Sequence, residues 1–102
     1  MDASIVIRTY NEGKWLGRAL EACATQEAEG LQYEVVIVDS GSTDDTLQIA
    51  EKYGCRITHI KKPDFTFGRS LNVGCEFAQG RFLVFISGHC IPASDQWLAN
   101  LV

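Results

Sequence analysis

Val35, Val36, Ile37 and Val38 follow one another with no polar residue between them, and the run stops at Asp39. A strand that alternates apolar and polar residues has one wet face; this run has none. It must be covered on both faces, as an inner strand of a parallel sheet is. Ser40, Gly41 and Ser42 then turn the chain, and Thr43 to Tyr53 reads as a helix. Ser42 and Asp45 have the spacing of a capping box, and Asp44 and Asp45 suit the positive end of that helix. A carboxylate, Asp39, is thereby held at the carboxyl tip of a central strand. In open α/β sheets that tip is where ligands bind.

The rest of the chain frames this strand. Ser4 to Arg8 is a short strand, and Lys14 to about Gln26 follows as a helix with Trp15, Leu16, Ala19, Leu20 and Cys23 at helical spacing. Asn11 or a neighbour caps that helix. Arg56 to Ile60 is a third strand, Ser70 to Gln79 a third helix with Leu71, Cys75 and Ala78 on one face, and Arg81 to Ile86 a fourth, apolar strand. Ser87 to Pro92 turns, and Ser94 starts a last helix whose Trp97, Leu98, Leu101 and Val102 face inward. Strands joined through helices imply a parallel sheet with right-handed crossovers, hence an α/β domain of three layers.

At 102 residues, the chain is the size of one domain, and 46% hydrophobic with 22% charged residues describes an ordinary globular one. A net charge of −4 argues against nucleic acid as a partner. The longest apolar run, Phe82 to Ile86, is too short for a transmembrane segment, and Met1-Asp2 opens no signal peptide. The 4 cysteines include no CxxC pair and read as buried free thiols in a reducing, cytoplasmic setting.

Three polar turns follow three strands: Thr9 to Glu12, Asp39 to Asp44, and Ser87 to Cys90. In a parallel sheet they share one edge and converge on one cleft. No GxGxxG follows the first strand, no GxxxxGK[ST] is present, and no GxSxG elbow exists. A nucleoside could be held by side chains here, but a phosphate would need a cation or basic residues.

The segments SIVIRTYNE, VVIVDSGSTDDT, FGRSLNVGCEFAQG and FLVFISGHCIP resemble, in order and spacing, the N-terminal half of a family 2 glycosyltransferase of GT-A fold. The resemblance covers nearly the whole chain. It implies a Rossmann-like sheet ordered 3-2-1-4 and a site for a nucleotide-diphospho-sugar donor. Thr9, Tyr10 and Glu12 would surround the nucleoside, Asp39 would hydrogen-bond a pyrimidine base, and Arg69 would sit near base or diphosphate. The family's metal-binding DxD element normally ends the fourth strand; here Ser87-Gly88-His89 stands in its place. Ser87 would then face the donor, and His89 would be the metal ligand, an imidazole that suits Mn²⁺ better than Mg²⁺. The implied reaction is inverting transfer from a UDP- or dTDP-sugar to a hydroxyl of a glycan or lipid-linked acceptor, in the cytoplasm or at the inner face of the membrane. The family's acceptor half and catalytic base follow the DxD element, so the chain reads as a truncated donor half, inactive alone.

Each of these residues has a plainer role open to it. Asp39 can cap its own turn through Ser42 or Thr43. Arg69 can be a first-turn helix residue, His89 a loop histidine, and Phe65 and Phe67 packing for their loop. The rival function is a nucleotide-binding or protein-interaction domain without catalysis. The apolar fourth strand has one open edge, which predicts a homodimer formed through it or through the last helix.

Overall fold

The unbroken apolar run lies where its composition demands, in the interior of a sheet. The computed structural model describes residues 2–24, 26, 30, 32–61 and 67–87. Strands β1 (Ala3–Thr9), β2 (Tyr33–Asp39), β3 (Arg56–His59) and β4 (Phe82–Ser87) are all parallel, in the order β3-β2-β1-β4. This is the expected doubly wound arrangement. Helices α1 (Leu16–Ala24), α2 (Thr46–Lys52) and α3 (Phe67–Phe77) are the crossovers.

The pleat sends alternate residues of the inner strands to opposite faces. Ile5, Ile7 and Ile37 pack with Leu16, Leu20 and Cys23 of α1 and Ala50 of α2. Val6, Val36 and Val38 face the other way, under Val73, Phe77 and Ala78 on and beyond α3. The three layers are thus α1 and α2, the sheet, and α3. α3 comes close because residue 74 is a glycine: a Cβ there would stand 2.6 Å from Val6 Cγ1.

Several boundaries differ from the sequence reading. α1 starts at Leu16 rather than Lys14, because the amides of Trp15 and Leu16 both turn back to the Glu12 carbonyl. Trp15 therefore precedes the helix and is exposed, with Lys14 and Arg18 over its ring at 5.1 and 5.8 Å, instead of entering the core. α2 starts at Thr46, and the expected capping box does not form: the N-cap is Asp45, with no side-chain bond to the helix. Ser42 is turned toward Asp39 instead. α3 starts at Phe67, three residues before the expected Ser70, and its inward face is Val73, Gly74 and Phe77. Cys75 is accordingly exposed rather than core, and Cys55 is half-buried. Burial pushes the Cys23 thiol up to about 12 and that of Cys55 to about 11, so neither is a ready nucleophile. The expected turn over 88–92, the helix from Ser94, Cys90 and Phe65 lie outside the described residues.

The amino end of the sheet is fastened by one carboxylate. Glu34 accepts from the Ser4 hydroxyl at 2.6 Å, Arg56 Nη1 at 2.8 Å and the Gln79 amide at 2.7 Å. Arg56 Nη1 also donates to the Phe77 carbonyl, and its guanidinium lies 4.3 Å from the Phe77 ring centroid. One side chain thus ties β1, β3 and the exit from α3 to β2. Glu34's side chain is 7% exposed and Arg56's 37%, so solvent screens the ion pair from one side. Burial alone would raise Glu34's pKa, but the hydrogen bonds from Ser4, Arg56 and Gln79 outweigh it and hold the carboxyl below its ordinary value. An unfolded chain then takes up this proton first. The stabilisation is complete above the ordinary glutamate range and is lost as pH falls through the lower, folded value. Glu34→Gln should cost about 2 kcal/mol in urea unfolding at pH 7. The difference from the unaltered chain should shrink below about pH 4. Equal urea midpoints at pH 7 would refute this role.

Candidate functional site

Thr9 and Asp39 are register partners at the carboxyl ends of β1 and β2. The Thr9 hydroxyl donates to Asp39 Oδ1 at 2.7 Å, so the two strand ends are joined by their side chains. Asp39 is 0% exposed and engages its own turn with both oxygens. Oδ1 also accepts from the Ser42 hydroxyl at 2.5 Å, and Oδ2 accepts the amides of Gly41 at 3.0 Å and Ser42 at 2.8 Å. Gly41 holds φ at +96°, a conformation costly for any residue with a Cβ. Burial alone would raise the Asp39 pKa, but the Ser42 and Thr9 hydroxyls and the Ser42 and Gly41 amides outweigh it and hold the carboxyl below the ordinary aspartate value. It is a carboxylate at neutral pH. Its turn-capping role, one of two weighed from sequence, is present in the structure.

The loops after β1 and β2 are laced together beyond this pair. The Asn11 amide donates to Ser42 Oγ at 2.9 Å, and Asn11 Oδ1 accepts the amides of Thr43 at 2.7 Å and Asp44 at 3.3 Å. The Glu12 amide donates to Thr46 Oγ1 at 2.9 Å, and the Gly13 amide to Asp44 Oδ2 at 3.0 Å. The Ser40 amide closes the inner end on the Thr9 carbonyl at 3.1 Å. The Thr46 amide and hydroxyl both donate to Asp44 Oδ1, which with the Gly13 amide holds the Asp44 carboxyl below its ordinary value, against the smaller opposing effect of burial. Asn11 does cap, but in the neighbouring loop: its oxygen satisfies the amides leading into α2, not those of α1. It takes the left-handed conformation, φ 51°, to do so.

The other expected site residues fall on the same edge. Tyr10 is exposed and Glu12 half-buried in the loop after β1. Ser87 ends β4, beside β1. Arg69 is exposed in the first turn of α3, and a crossover helix between parallel strands begins at the edge where the preceding strand ends. His89, the expected metal ligand, lies outside the described residues. Among the described residues no three His, Cys, Asp or Glu side chains gather as a metal site. Asn11, Asp44 and Thr46, which build the lacing, are residues that the sequence reading passed over or used only as helix caps. Their signal was the density of Asn, Ser, Asp and Thr in two loops that the topology makes neighbours. One cavity of about 400 Å³ opens at the opposite end of the sheet, between Tyr33, Glu34, Tyr53, Arg56 and Gln79. Glu34 and Arg56 there are already engaged with each other, and the strand-tip edge remains the better candidate.

Residues 4–102 match the family model for glycosyl transferase family 2. The chain belongs to that family. Over 90 residues it is 34% identical to the poly(ribitol-phosphate) beta-N-acetylglucosaminyltransferase TarS of Staphylococcus aureus, a match covering 84% of this chain and 16% of the relative. The crystal structure of S. aureus TarS 1–349 in complex with UDP-GlcNAc superimposes with a TM-score of 0.88 at 30% identity, over 99% of this chain and 30% of that one. A second similar structure is glucosyl-3-phosphoglycerate synthase of Mycobacterium tuberculosis with Mn²⁺, UDP and glucosyl-3-phosphoglycerate, with a TM-score of 0.69 at 26% identity, over 85% of this chain and 33% of that one. This family 2 chain therefore spans under a third of TarS, and its sheet and crossovers have the GT-A arrangement.

The lacing makes a separable prediction about Asn11. Asn11→Gly removes the cap but keeps the left-handed conformation cheap, at a cost of about 1 kcal/mol. Asn11→Ala loses the cap and adds about 1–2 kcal/mol of backbone strain. Urea unfolding should rank unaltered chain, glycine variant, alanine variant; an alanine variant as stable as the glycine one would contradict it.

Proposed function

We propose that this chain is the donor-binding part of a family 2 glycosyltransferase, and that the parent enzyme moves a sugar from a UDP- or dTDP-sugar to an acceptor hydroxyl with inversion. The observation that carries the reading is an ionised carboxylate fixed at the tip of a central strand, the edge at which open α/β sheets bind ligands. Asp39 reads the imino N–H of a pyrimidine. Thr9, Tyr10 and Glu12 surround the nucleoside, and Ser87 faces the donor. The UDP-GlcNAc and UDP carried by the two similar structures support a uridine donor. TarS's own substrate, a ribitol-phosphate polymer, supports a polymeric or lipid-linked acceptor.

The diphosphate must be met by other groups than the loop amides. Those of Asn11, Glu12, Gly13, Gly41, Ser42, Thr43 and Asp44 all donate within the two loops. Arg69 supplies one positive charge. A divalent cation would supply the rest, polarising the departing diphosphate. The segment that would hold it, Ser87-Gly88-His89, offers a hydroxyl and an imidazole without a carboxylate. That donor set fits Mn²⁺ and fits Mg²⁺ poorly. Transfer itself resembles a single displacement in which a base takes the acceptor proton. The family resemblance implies that this base follows the DxD segment.

Titration with UDP in Mn²⁺, Mg²⁺ and chelator tests the donor site. Asp39→Ala should weaken UDP binding roughly tenfold, the worth of a charge-assisted hydrogen bond, while the variant still folds. Unchanged UDP affinity in that variant rules out the base-reading role. Mn²⁺ should promote binding more than Mg²⁺, and the gain should fade below about pH 6 as His89 protonates. His89→Ala should remove the metal dependence, and equal affinity in Mn²⁺ and chelator would exclude the metal.

We also propose that copies of this chain pair through β4. Phe82 and Phe85 are 48% and 37% exposed, and β4 pairs only with β1 among the described residues. Sedimentation at several concentrations should show a monomer–dimer equilibrium; a clean monomer at hundreds of micromolar, on the order of the weakest specific dimers, would exclude it.

A further inference from the structure

A carboxylate offers about four acceptor positions, two on each oxygen. At Asp39 this chain fills all of them: the Thr9 and Ser42 hydroxyls on Oδ1, the Gly41 and Ser42 amides on Oδ2. The residue is 0% exposed. A base that approaches Asp39 therefore finds no acceptor position open. One of the four donors has to leave.

The donors are not equally free to do so. The two amides belong to the backbone of the turn, and releasing either means unmaking it. Thr9 sits in a buried strand, and its hydroxyl has Asp39 as its hydrogen-bond partner. Ser42 differs on both counts. It is half-buried, and its oxygen already accepts the Asn11 amide at 2.9 Å while its hydrogen goes to Asp39. Its O–H can turn away from Asp39 and leave the bond from Asn11 in place. The loop would stay laced, and one position on Oδ1 would open.

We infer that Ser42 is a positioning residue whose hydroxyl holds the place at Asp39 Oδ1 that the imino N–H of a base must take. Donor entry is then an exchange of one hydrogen bond for another, not the addition of one. This rests on the reading of Asp39 as the base-binding residue. The exchange is open only to some bases. Uracil and thymine carry an N3–H and can replace the hydroxyl. Cytosine has an unprotonated N3, cannot donate there, and leaves Ser42 where it is. Ser42 thus lowers the affinity for a base that carries this donor by the bond it surrenders, and narrows its advantage over a base that does not.

The test compares UDP with CDP on the full 102-residue chain, by calorimetry, for the unaltered chain, Ser42→Ala, Ser42→Thr and Asp39→Asn. Ser42→Ala leaves the Oδ1 position open beforehand. UDP should bind up to about tenfold tighter and CDP no tighter, so the CDP-to-UDP ratio of Kd values rises. A general loosening of the loop would move both nucleotides together. Ser42→Thr restores the hydroxyl and should restore the original ratio. If the alanine chain does not unfold cooperatively, Ser42→Cys, a weaker donor of similar size, should shift the ratio the same way. A ratio unchanged in the alanine and cysteine chains overturns the exchange. If Asp39→Asn still discriminates UDP from CDP as the unaltered chain does, or if the unaltered chain binds neither, the base-reading role itself falls, and the exchange with it.

Discussion

The hydrogen bond from Thr9 to Asp39 joins the carboxyl ends of two strands that are neighbours in the sheet. Everything at the candidate site depends on it. Asp39 is a charge taken out of water, and such a charge is tolerated only where donors surround it. Two come from backbone, one from the strand beside it and one from its own turn. The turn is what it is because the carboxylate organises it. Asp39 and the loop from Gly41 to Asp44 are one structure.

The lacing of the two loops also divides the chemistry of the edge. In many phosphate sites free amides in a glycine-rich turn form the anion cradle. Here the amides are occupied by Asn11, Ser42, Thr46 and Asp44 side chains. The loops form a rigid rim for a nucleoside, and negative charge is left to side chains and ions elsewhere. The lack of a glycine fingerprint in the sequence agrees with the engagement of these loop amides in the structure.

What was legible in the sequence followed from patterns with one strong physical cause. Val35 to Val38 could be nothing but an inner strand, and the alternation of strands and helices fixed parallel pairing. The strand order came from the family resemblance, not from periodicity. Helix starts were misplaced where a polar side chain had two uses. Ser42 has the spacing of a cap for α2, yet its oxygen accepts the Asn11 amide while its hydrogen goes to Asp39. Trp15 has the spacing of a core residue, yet the turn at Glu12 precedes the helix and leaves the ring outside. Cys75 followed from starting α3 three residues late. The cross-loop role of Asn11 was illegible for a different reason: its partners lie more than 30 positions away, and no local pattern reports them.

Glu34 and Asp39 stand at opposite ends of the same strand. Strand register is usually specified by alternation, because a slip by one residue carries apolar side chains to the wet face. β2 lacks that safeguard. Slide Val35 to Val38 by one residue in either direction, and branched apolar side chains still fill both faces of the sheet. The two acids supply what the apolar run cannot. A slip of one residue would take Glu34 from Ser4, Arg56 and Gln79 and take Asp39 from Thr9, leaving two carboxylates short of donors at once. The strand is greasy in the middle and keyed at its ends, and it is the keys that give it a single address in the sheet.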